Sequence, residues 1–170
     1  MSVAWWDLFE LTLERRKFLL RFTNSIRIHR PISEVFAFLA DFENIPKWNY
    51  FVRKVTKTSA GPVDIGTTYH QIRKTDDQDF QITEFEQDHK IAVKTLPRST
   101  PQFERRFILE TKGSATEIMD TWELETGRNP LLERLAAGRV KAAVAENLSL
   151  FKALLEKGNT VLQDGRKMAL

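Results

Sequence analysis

The stretch IRIHRPISEVFAFLADFENIPKW, residues 26–48, decides the fold because it joins a strand to two short helices. Pro31 follows the strand and fixes φ where a helix can begin. Three apolar residues then recur at helical spacing before Asp41: Val35, Phe36 and Leu39. A second short helix is predicted from Asn44 through Trp48, since proline is tolerated in the first turn of a helix.

Upstream of this stretch the sequence alternates with a period of two from Lys17 to His29, which predicts a long first strand. One face is apolar: Phe18, Leu20, Phe22, Ile26 and Ile28. Residues 1–16 fit either a short strand or a helical turn. The Trp5-Trp6 pair could anchor at a membrane interface, or both rings could cap the core or a dimer contact.

Downstream, six further strands are predicted between turns that are rich in Gly, Pro and Asp. They lie roughly at 51–59, 67–74, 79–86, 91–96, 103–111 and 116–125. Short strands joined by short turns favour an antiparallel meander, because parallel neighbours need long crossovers. Phe80 and Ile82 are in phase with Glu84 while Phe85 is not, which predicts a β-bulge in the fourth strand.

A long helix is predicted from Asn129-Pro130 to Gly158. Its predicted apolar stripe is Leu131, Leu135, Ala142, Ala145, Leu148, Phe151 and Leu155. Such a helix must bury this stripe, so it is expected to lie across the concave face of the sheet. The small residues Gly138, Ala142, Ala143 and Ala145 would allow either close packing or a chamber between helix and sheet.

The composition of the chain excludes several kinds of site and partner. The 170 residues contain no cysteine, which excludes disulfides, thiolate metal sites and cysteine nucleophiles. The net charge of +3 comes from interspersed basic and acidic residues, so nucleic-acid binding is not expected. No signal-peptide pattern is visible, and a cytoplasmic location is expected. The chain divides into an N-terminal extension (1–16), one domain (17–158) and a C-terminal tail (159–170).

The sixth and seventh strands place two charges on an apolar face. With Lys112-Gly113 as a two-residue turn, paired residue numbers sum to 225, and Arg105 faces Asp120 directly. Their apolar neighbours on this face include Phe103, Phe107, Ile118 and Trp122. A buried charge requires a partner, so the two residues form either a structural ion pair or a ligand-recognition site.

Tyr69 or His70 of the third strand could also orient a polar group or transfer a proton. The simpler interpretation of His70 is a strand residue that is exposed or has its hydrogen bonds satisfied within the protein.

The element order and the motifs quoted above, with Gly66 and Thr83-Glu84-Phe85-Glu86, resemble the SRPBCC superfamily over residues 22–158. This superfamily of START-like, helix-grip proteins includes polyketide cyclase/dehydrase-like members. The resemblance implies an α+β fold in which a seven-stranded curved antiparallel sheet grips a long C-terminal helix around a ligand cavity. Its oxygenase branch needs two His and a carboxylate, and His29, His70 and His89 form no such set. No metal and no cofactor are expected.

The sequence is compatible with three functions. The first is a protein that binds or carries a lipid, isoprenoid or aromatic polyketide without catalysis. The second is an enzyme of the cyclase/dehydrase kind that orients a polyketone. The third is a protein- or membrane-interaction module acting through Trp5-Trp6, and the oligomeric state is left open. The residues predicted to line the cavity are Tyr69, His70, Phe80, Ile82, Phe103, Arg105, Phe107, Ile118, Asp120, Trp122, Leu135, Arg139 and Ala142.

Overall fold

The structure, a computed structural model, describes residues 18–126 and 130–170, with side chains for 19–125 and 137–170. Its elements in chain order are β1 (Phe18–Ile28), α1 (Ile32–Ala40), a 3₁₀ helix (Phe42–Lys47), β2 (Val52–Lys57), β3 (Thr68–Arg73), β4 (Asp77–Glu86), β5 (Lys90–Thr95), β6 (Phe103–Lys112), β7 (Ala115–Thr126), α2 (Pro130–Lys157), β8 (Asn159–Val161) and β9 (Lys167–Ala169). The predictions for residues 1–16, including Trp5-Trp6, lie outside the described residues. The predicted division into three segments stays a prediction.

Seven strands form one antiparallel sheet in the order β1-β7-β6-β5-β4-β3-β2. Consecutive strands from β2 to β7 are neighbours, and β1 pairs with β7 along its whole length. The predicted α+β architecture, with two short helices after the first strand and a long C-terminal helix, is therefore confirmed. β1 and β2 form the two edges of the sheet.

The two short helices follow β1 in the chain, and α1 contacts β6 and β7 while the 3₁₀ helix contacts β2. Val35, Phe36 and Leu39 of α1 are buried, as their helical spacing predicts. The 3₁₀ helix begins at Phe42, two residues earlier than predicted, because the Asp41 carboxylate accepts a hydrogen bond from the backbone N–H of Glu43.

One half of α2 is packed firmly against the core through Leu148, Phe151, Leu154 and Leu155. The Phe151 ring lies 5.3 Å from Trp48 and 5.7 Å from Phe38, measured between ring centroids. The predicted stripe is wrong at Ala142, which is exposed, whereas Val144 is buried. The branched residues set the buried face, because they bury more apolar area than the alanines do.

The predicted β-bulge in β4 is confirmed. The register between β4 and β5 shifts between Ile82 and Glu84, which leaves Thr83 as the extra residue. Before the bulge Phe80 and Ile82 face the core, and after it Phe85 does so and packs edge-on against Phe36. Glu84 is consequently turned to the outer face, where it binds Arg106 and Lys90.

Beyond α2 the chain forms a small hairpin. Gly158, with φ of 76°, ends the helix in the left-handed region, and β8 then pairs with β9. Nη2 of Arg166 donates to the carbonyl oxygen of Tyr50 (3.1 Å), and Nζ of Lys74 lies 3.1 Å from the Asp164 carboxylate. Hydrogen bonds from Arg166 and Lys74 lower the pKa of Asp164 to about 2. The hairpin is thus tied to the loop that precedes β2.

None of the described helices has the length and apolar character that crossing a membrane requires.

Phe151→Ala tests whether the ring contacts with Trp48 and Phe38 hold α2 to the sheet. Because Phe151 is fully buried, the variant is expected to lose about 3–5 kcal/mol of unfolding free energy in urea denaturation. Ser149→Ala, on the exposed side of the same helical turn, is the control and should change stability by less than about 0.5 kcal/mol. A loss below about 1 kcal/mol for Phe151→Ala would contradict this packing.

Candidate ligand-binding site

A cavity of about 330 Å³ lies between the concave face of the sheet and α2 and opens to the surface. Its described lining is drawn from the 3₁₀ helix, the loop before β2, strands β2 to β7, the loop before β6, and α2. These residues are Phe42, Ile45, Asn49, Tyr50, Phe51, Val52, Gln71, Arg73, Gln78, Phe80, Val93, Pro101, Phe103, Arg105, Trp122, Leu124, Val140, Ala143, Val144 and Asn147.

Aromatic rings form much of the cavity wall. Trp122 is tilted against Phe103 at 5.2 Å and stacked on Phe22 at 6.1 Å. Phe80 contacts Phe42 edge-on at 5.6 Å. Rings held by other rings keep their positions, so this part of the wall is preformed.

Arg105 and Asp120 form a buried ion pair in this wall. Nε of Arg105 donates to Oδ1 of Asp120 (2.9 Å), and Nη2 donates to Oδ2 (2.8 Å). The indole Nε1 of Trp122 donates a third hydrogen bond to Oδ2 (3.2 Å). The Arg105 guanidinium also lies over the rings of Phe107 (4.2 Å) and Trp122 (4.5 Å). The carboxylate, which is fully buried, therefore has its charge balanced and both of its oxygens hydrogen-bonded.

The predicted ion pair exists, but the predicted register is wrong. Arg105 is paired with Trp122, and Phe107 is paired with Asp120, so paired numbers sum to 227. The turn residues are Gly113 and Ser114, and Gly113 has φ of 66° as the first central residue of a type II′ turn requires. A shift of two residues keeps each side chain on its face, so Arg105 reaches Asp120 diagonally across the two strands.

Arg105 is the member of the pair that can meet a ligand. Its side chain lines the cavity, whereas Asp120 is shielded by Arg105 and Trp122. No described residue accepts a hydrogen bond from Nη1 of Arg105. This nitrogen therefore offers free N–H donors on a guanidinium whose charge Asp120 already balances.

Several amide side chains supply polar groups at another part of the wall. Nε2 of Gln78 donates to the carbonyl oxygens of Thr100 (3.0 Å) and Pro101 (3.2 Å), which fixes the orientation of this amide. Oε1 of Gln78 then accepts from Nε2 of Gln71 (3.2 Å). Among the described residues, none donates to the remaining oxygen of Gln71 or to Oδ1 of Asn147.

Of the residues predicted to line the cavity, four do so: Phe80, Phe103, Arg105 and Trp122. Four others are buried in the core without lining it: Tyr69, Ile82, Phe107 and Ile118. Arg139 and Ala142 are exposed on α2 and do not line it, which corrects their prediction, and the Leu135 side chain lies outside the described set. The ligand-binding role of the four lining residues stays a prediction.

His70 and Tyr69 are the predicted polar candidates that the structure moves away from the cavity. His70 is on the outer face of β3, where Nδ1 lies 2.8 Å from Oδ1 of Asp79. Tyr69 faces inward but lies behind the wall, stacked on Phe80 at 5.2 Å and edge-on to Phe42 at 5.3 Å. Burial, with the nearby carboxylates of Asp41 and Glu43, raises the pKa of Tyr69 to about 12.

Sequence reasoning missed Gln71, Gln78 and Asn147, although a signal exists for each. Gln71 is in phase with Tyr69 and Gln78 with Phe80, so both fall on the inner face of their strands. Asn147 interrupts the buried face of α2. The loop at residues 49–51 carries no periodic pattern, so nothing in the sequence indicates that it lines the cavity.

Among the described residues, no group of three or more His, Asp or Glu side chains is placed to hold a metal ion. The three histidines are dispersed: His29 contacts Glu156, His70 contacts Asp79 and Asp77, and His89 contacts Glu86.

The sheet, the gripped helix and the cavity between them define a helix-grip protein with an internal site. The chain belongs to the family described as polyketide cyclase / dehydrase and lipid transport, whose model matches residues 20–156. The predicted resemblance to the SRPBCC superfamily is thereby confirmed. No curated protein sequence matches the chain significantly.

Two solved structures share the fold. The di-domain ARO/CYC StfQ from the steffimycin biosynthetic pathway gives a TM-score of 0.68 at 16% identity, over 89% of this chain and 56% of StfQ. DR_A0006 from Deinococcus radiodurans gives 0.58 at 17% identity, over 83% of this chain and 99% of that one. The chain thus spans little more than half of StfQ, and identities this low show the fold alone.

Asp120→Asn tests the buried ion pair. Removing one charge leaves the other buried and unbalanced, so the variant should lose about 3–5 kcal/mol in urea denaturation. Glu84→Gln is the matched control, because Glu84 binds Arg106 on the outer face of the sheet, where an ion pair contributes below about 1 kcal/mol. Similar losses in the two variants would contradict the burial of the Arg105–Asp120 pair.

The raised pKa of Tyr69 predicts a loss of stability in alkali. The folded protein keeps the Tyr69 proton until the pH approaches about 12, whereas the unfolded chain loses it near 10. The stability that the folded state gains by keeping the Tyr69 proton is complete below pH 10 and is lost as the pH rises through 12. The stability difference between the wild type and Tyr69→Phe should therefore narrow by about 1.4 kcal/mol from pH 8 to pH 11 in urea denaturation. An unchanged difference would show that the two states share one Tyr69 pKa.

Proposed function

We propose that this protein binds a predominantly apolar small molecule in the cavity between the sheet and α2. The observation that supports the proposal is the cavity itself. Its wall is mostly aromatic and aliphatic, and a few polar groups, among them Arg105, Gln71 and Asn147, are available to orient a ligand. Such a wall is typical of sites that take their affinity from apolar burial and their specificity from a small number of hydrogen bonds.

The volume of the cavity favours a compact ligand. About 330 Å³ lies near the lower end of the range of roughly 300–1,000 Å³ that small-molecule sites occupy. An aromatic polyketide of few rings or a short isoprenoid fits this range better than a lipid with two acyl chains. The description of the family, which covers both polyketide cyclases and lipid transport, is compatible with either ligand.

The polar groups favour binding over proton transfer. Tyr69 lies behind the wall, His70 is on the outer face, and the Asp120 carboxylate is occupied by three hydrogen bonds. Arg105 remains, and a guanidinium keeps its proton at any physiological pH, so it serves poorly as a general acid or base. The described residues of the wall can thus orient a ligand, and none of these candidate side chains is suited to transfer a proton there.

A second candidate function rests on the free Nη1 of Arg105. Its N–H groups could hold a ligand carbonyl and stabilise negative charge that develops on it, as a cyclase that works by orientation would require. The likeness to StfQ, which is an ARO/CYC protein, adds the analogy of a shared fold. Turnover of a polyketone that Arg105→Ala abolishes without lowering the melting temperature would favour this function over simple binding.

Native mass spectrometry of freshly purified protein tests the binding proposal directly. We expect a bound small molecule, or a rise in melting temperature with at least one member of a panel of aromatic polyketides, isoprenoids and lipids, because a ligand that binds only the folded state stabilises it. No bound molecule and no stabilisation by any panel member would contradict the proposal.

Ala143→Trp is expected to weaken ligand binding at least about tenfold, because an indole at this position fills part of the cavity. Ala142→Trp is the matched control, since Ala142 is next to it on α2 but does not line the cavity. Isothermal titration with the ligand identified above gives the affinities. Equal effects of the two substitutions would place the ligand elsewhere.

A further inference from the structure

Asn147 is an unusual member of the cavity wall. Its side chain lies on the buried face of α2, between Val144 and Phe151, and only 7% of the residue is exposed. Its amide oxygen is shielded from solvent, and neither atom of the amide has a hydrogen-bond partner among the described residues. Buried amides are normally paired, as Gln78 is here with Thr100 and Pro101.

The shielded amide oxygen carries a cost in the free protein, and a bound ligand removes this cost where the side chain turns the atom toward the cavity. Leaving a buried polar group without a partner destabilises the folded state, whereas a leucine of similar shape would not. Because a hydroxyl both donates and accepts, it can pair with the Asn147 amide whichever way the amide is turned. A purely apolar ligand leaves the amide unpaired.

The charges of the wall indicate an uncharged ligand. The described lining contains two guanidinium groups, and both are already paired: Arg73 with Asp76 at 2.6 Å, and Arg105 with Asp120. A ligand carboxylate next to Arg105 would bring a second negative charge close to Asp120. It would also lose its hydration without gaining an unpaired cation from the described wall.

We propose that the cavity selects an uncharged ligand that carries a hydroxyl group, an alcohol or a phenol, and that Asn147 is the residue that recognises this hydroxyl. The inference rests on the proposed function and goes beyond it by naming the ligand's polar group and the side chain that selects it. Apolar contacts with the aromatic wall then hold the rest of the molecule.

Three probes of one shape test the proposal on the wild-type protein: naphthol, methylnaphthalene and naphthoate, each with its substituent at the same ring position. At neutral pH we expect naphthol to bind at least about tenfold more tightly than either of the others in a titration. Equal affinities for naphthol and methylnaphthalene, or the tightest binding by naphthoate, would overturn the inference and leave the proposed function standing. Failure of all three to bind would count against the proposed function itself.

Asn147→Leu assigns the effect to the side chain. We expect it to weaken naphthol binding about tenfold, to leave methylnaphthalene binding within about twofold, and to raise the melting temperature of the ligand-free protein. Val144→Ala, one turn away on the same wall, is the control and should weaken both probes by a similar factor, because it removes only apolar contact.

Two results with Asn147→Leu would overturn the assignment. A parallel loss of affinity for naphthol and methylnaphthalene would show that Asn147 contributes shape alone. A lower melting temperature of the ligand-free variant would show that the amide is satisfied in the free protein.

Discussion

The packing of Phe151 between Trp48 and Phe38 fixes the position of α2, and the remainder of the molecule follows from it. These contacts hold the C-terminal half of the helix against the core. Nearer its start the same helix presents Val140, Ala143 and Asn147 to the cavity. One helix therefore closes the core at one end and borders the cavity at the other, so the packed core and the proposed binding site are separated along its length.

The Arg105–Asp120 pair places a hydrogen-bond donor in a cavity wall that is otherwise mostly apolar. A cavity wall made only of rings would hold a ligand without orienting it, whereas an isolated charge would be too costly to bury. The fork of hydrogen bonds to Asp120 and the aromatic rings on Arg105 make the charge tolerable while leaving one nitrogen available. The wall thereby gains a donor group without a net charge.

Much of the fold could be predicted from the sequence because its local signals agree. The alternation of β1, the proline before α1 and the bulge in β4 each follow from a short pattern whose period is unambiguous. The partners in the β6–β7 hairpin could not be predicted from the face pattern, because a shift of two residues leaves every side chain on the same face. The position of Gly113 in its turn decides between the registers, and this depends on backbone geometry.

The candidate site was less predictable than the fold, because the sequence pattern shows which face a side chain is on and not what lies next to it. Phe107 is predicted correctly to face inward, whereas the sequence leaves open whether Tyr69 or His70 does so. The pattern also cannot distinguish a side chain that fills the core from one that borders empty space. That distinction depends on where α2 lies. On α2 itself, Ala142 and Ala143 differ by a rotation of about 100° along the helix, and only Ala143 borders the cavity.

If the cavity binds a ligand as proposed, the hairpin of β8 and β9 has a consequence for the rate at which that ligand exchanges. The loop at residues 49–51 borders the cavity, and Arg166 holds it through the carbonyl oxygen of Tyr50. Any outward movement of this loop that frees Tyr50 has to break that hydrogen bond, which Asp164 supports by orienting the Arg166 guanidinium. For the proposed ligand, residence time and affinity would therefore be set by different parts of the chain, the first by a charged surface contact that salt weakens, the second by the apolar wall.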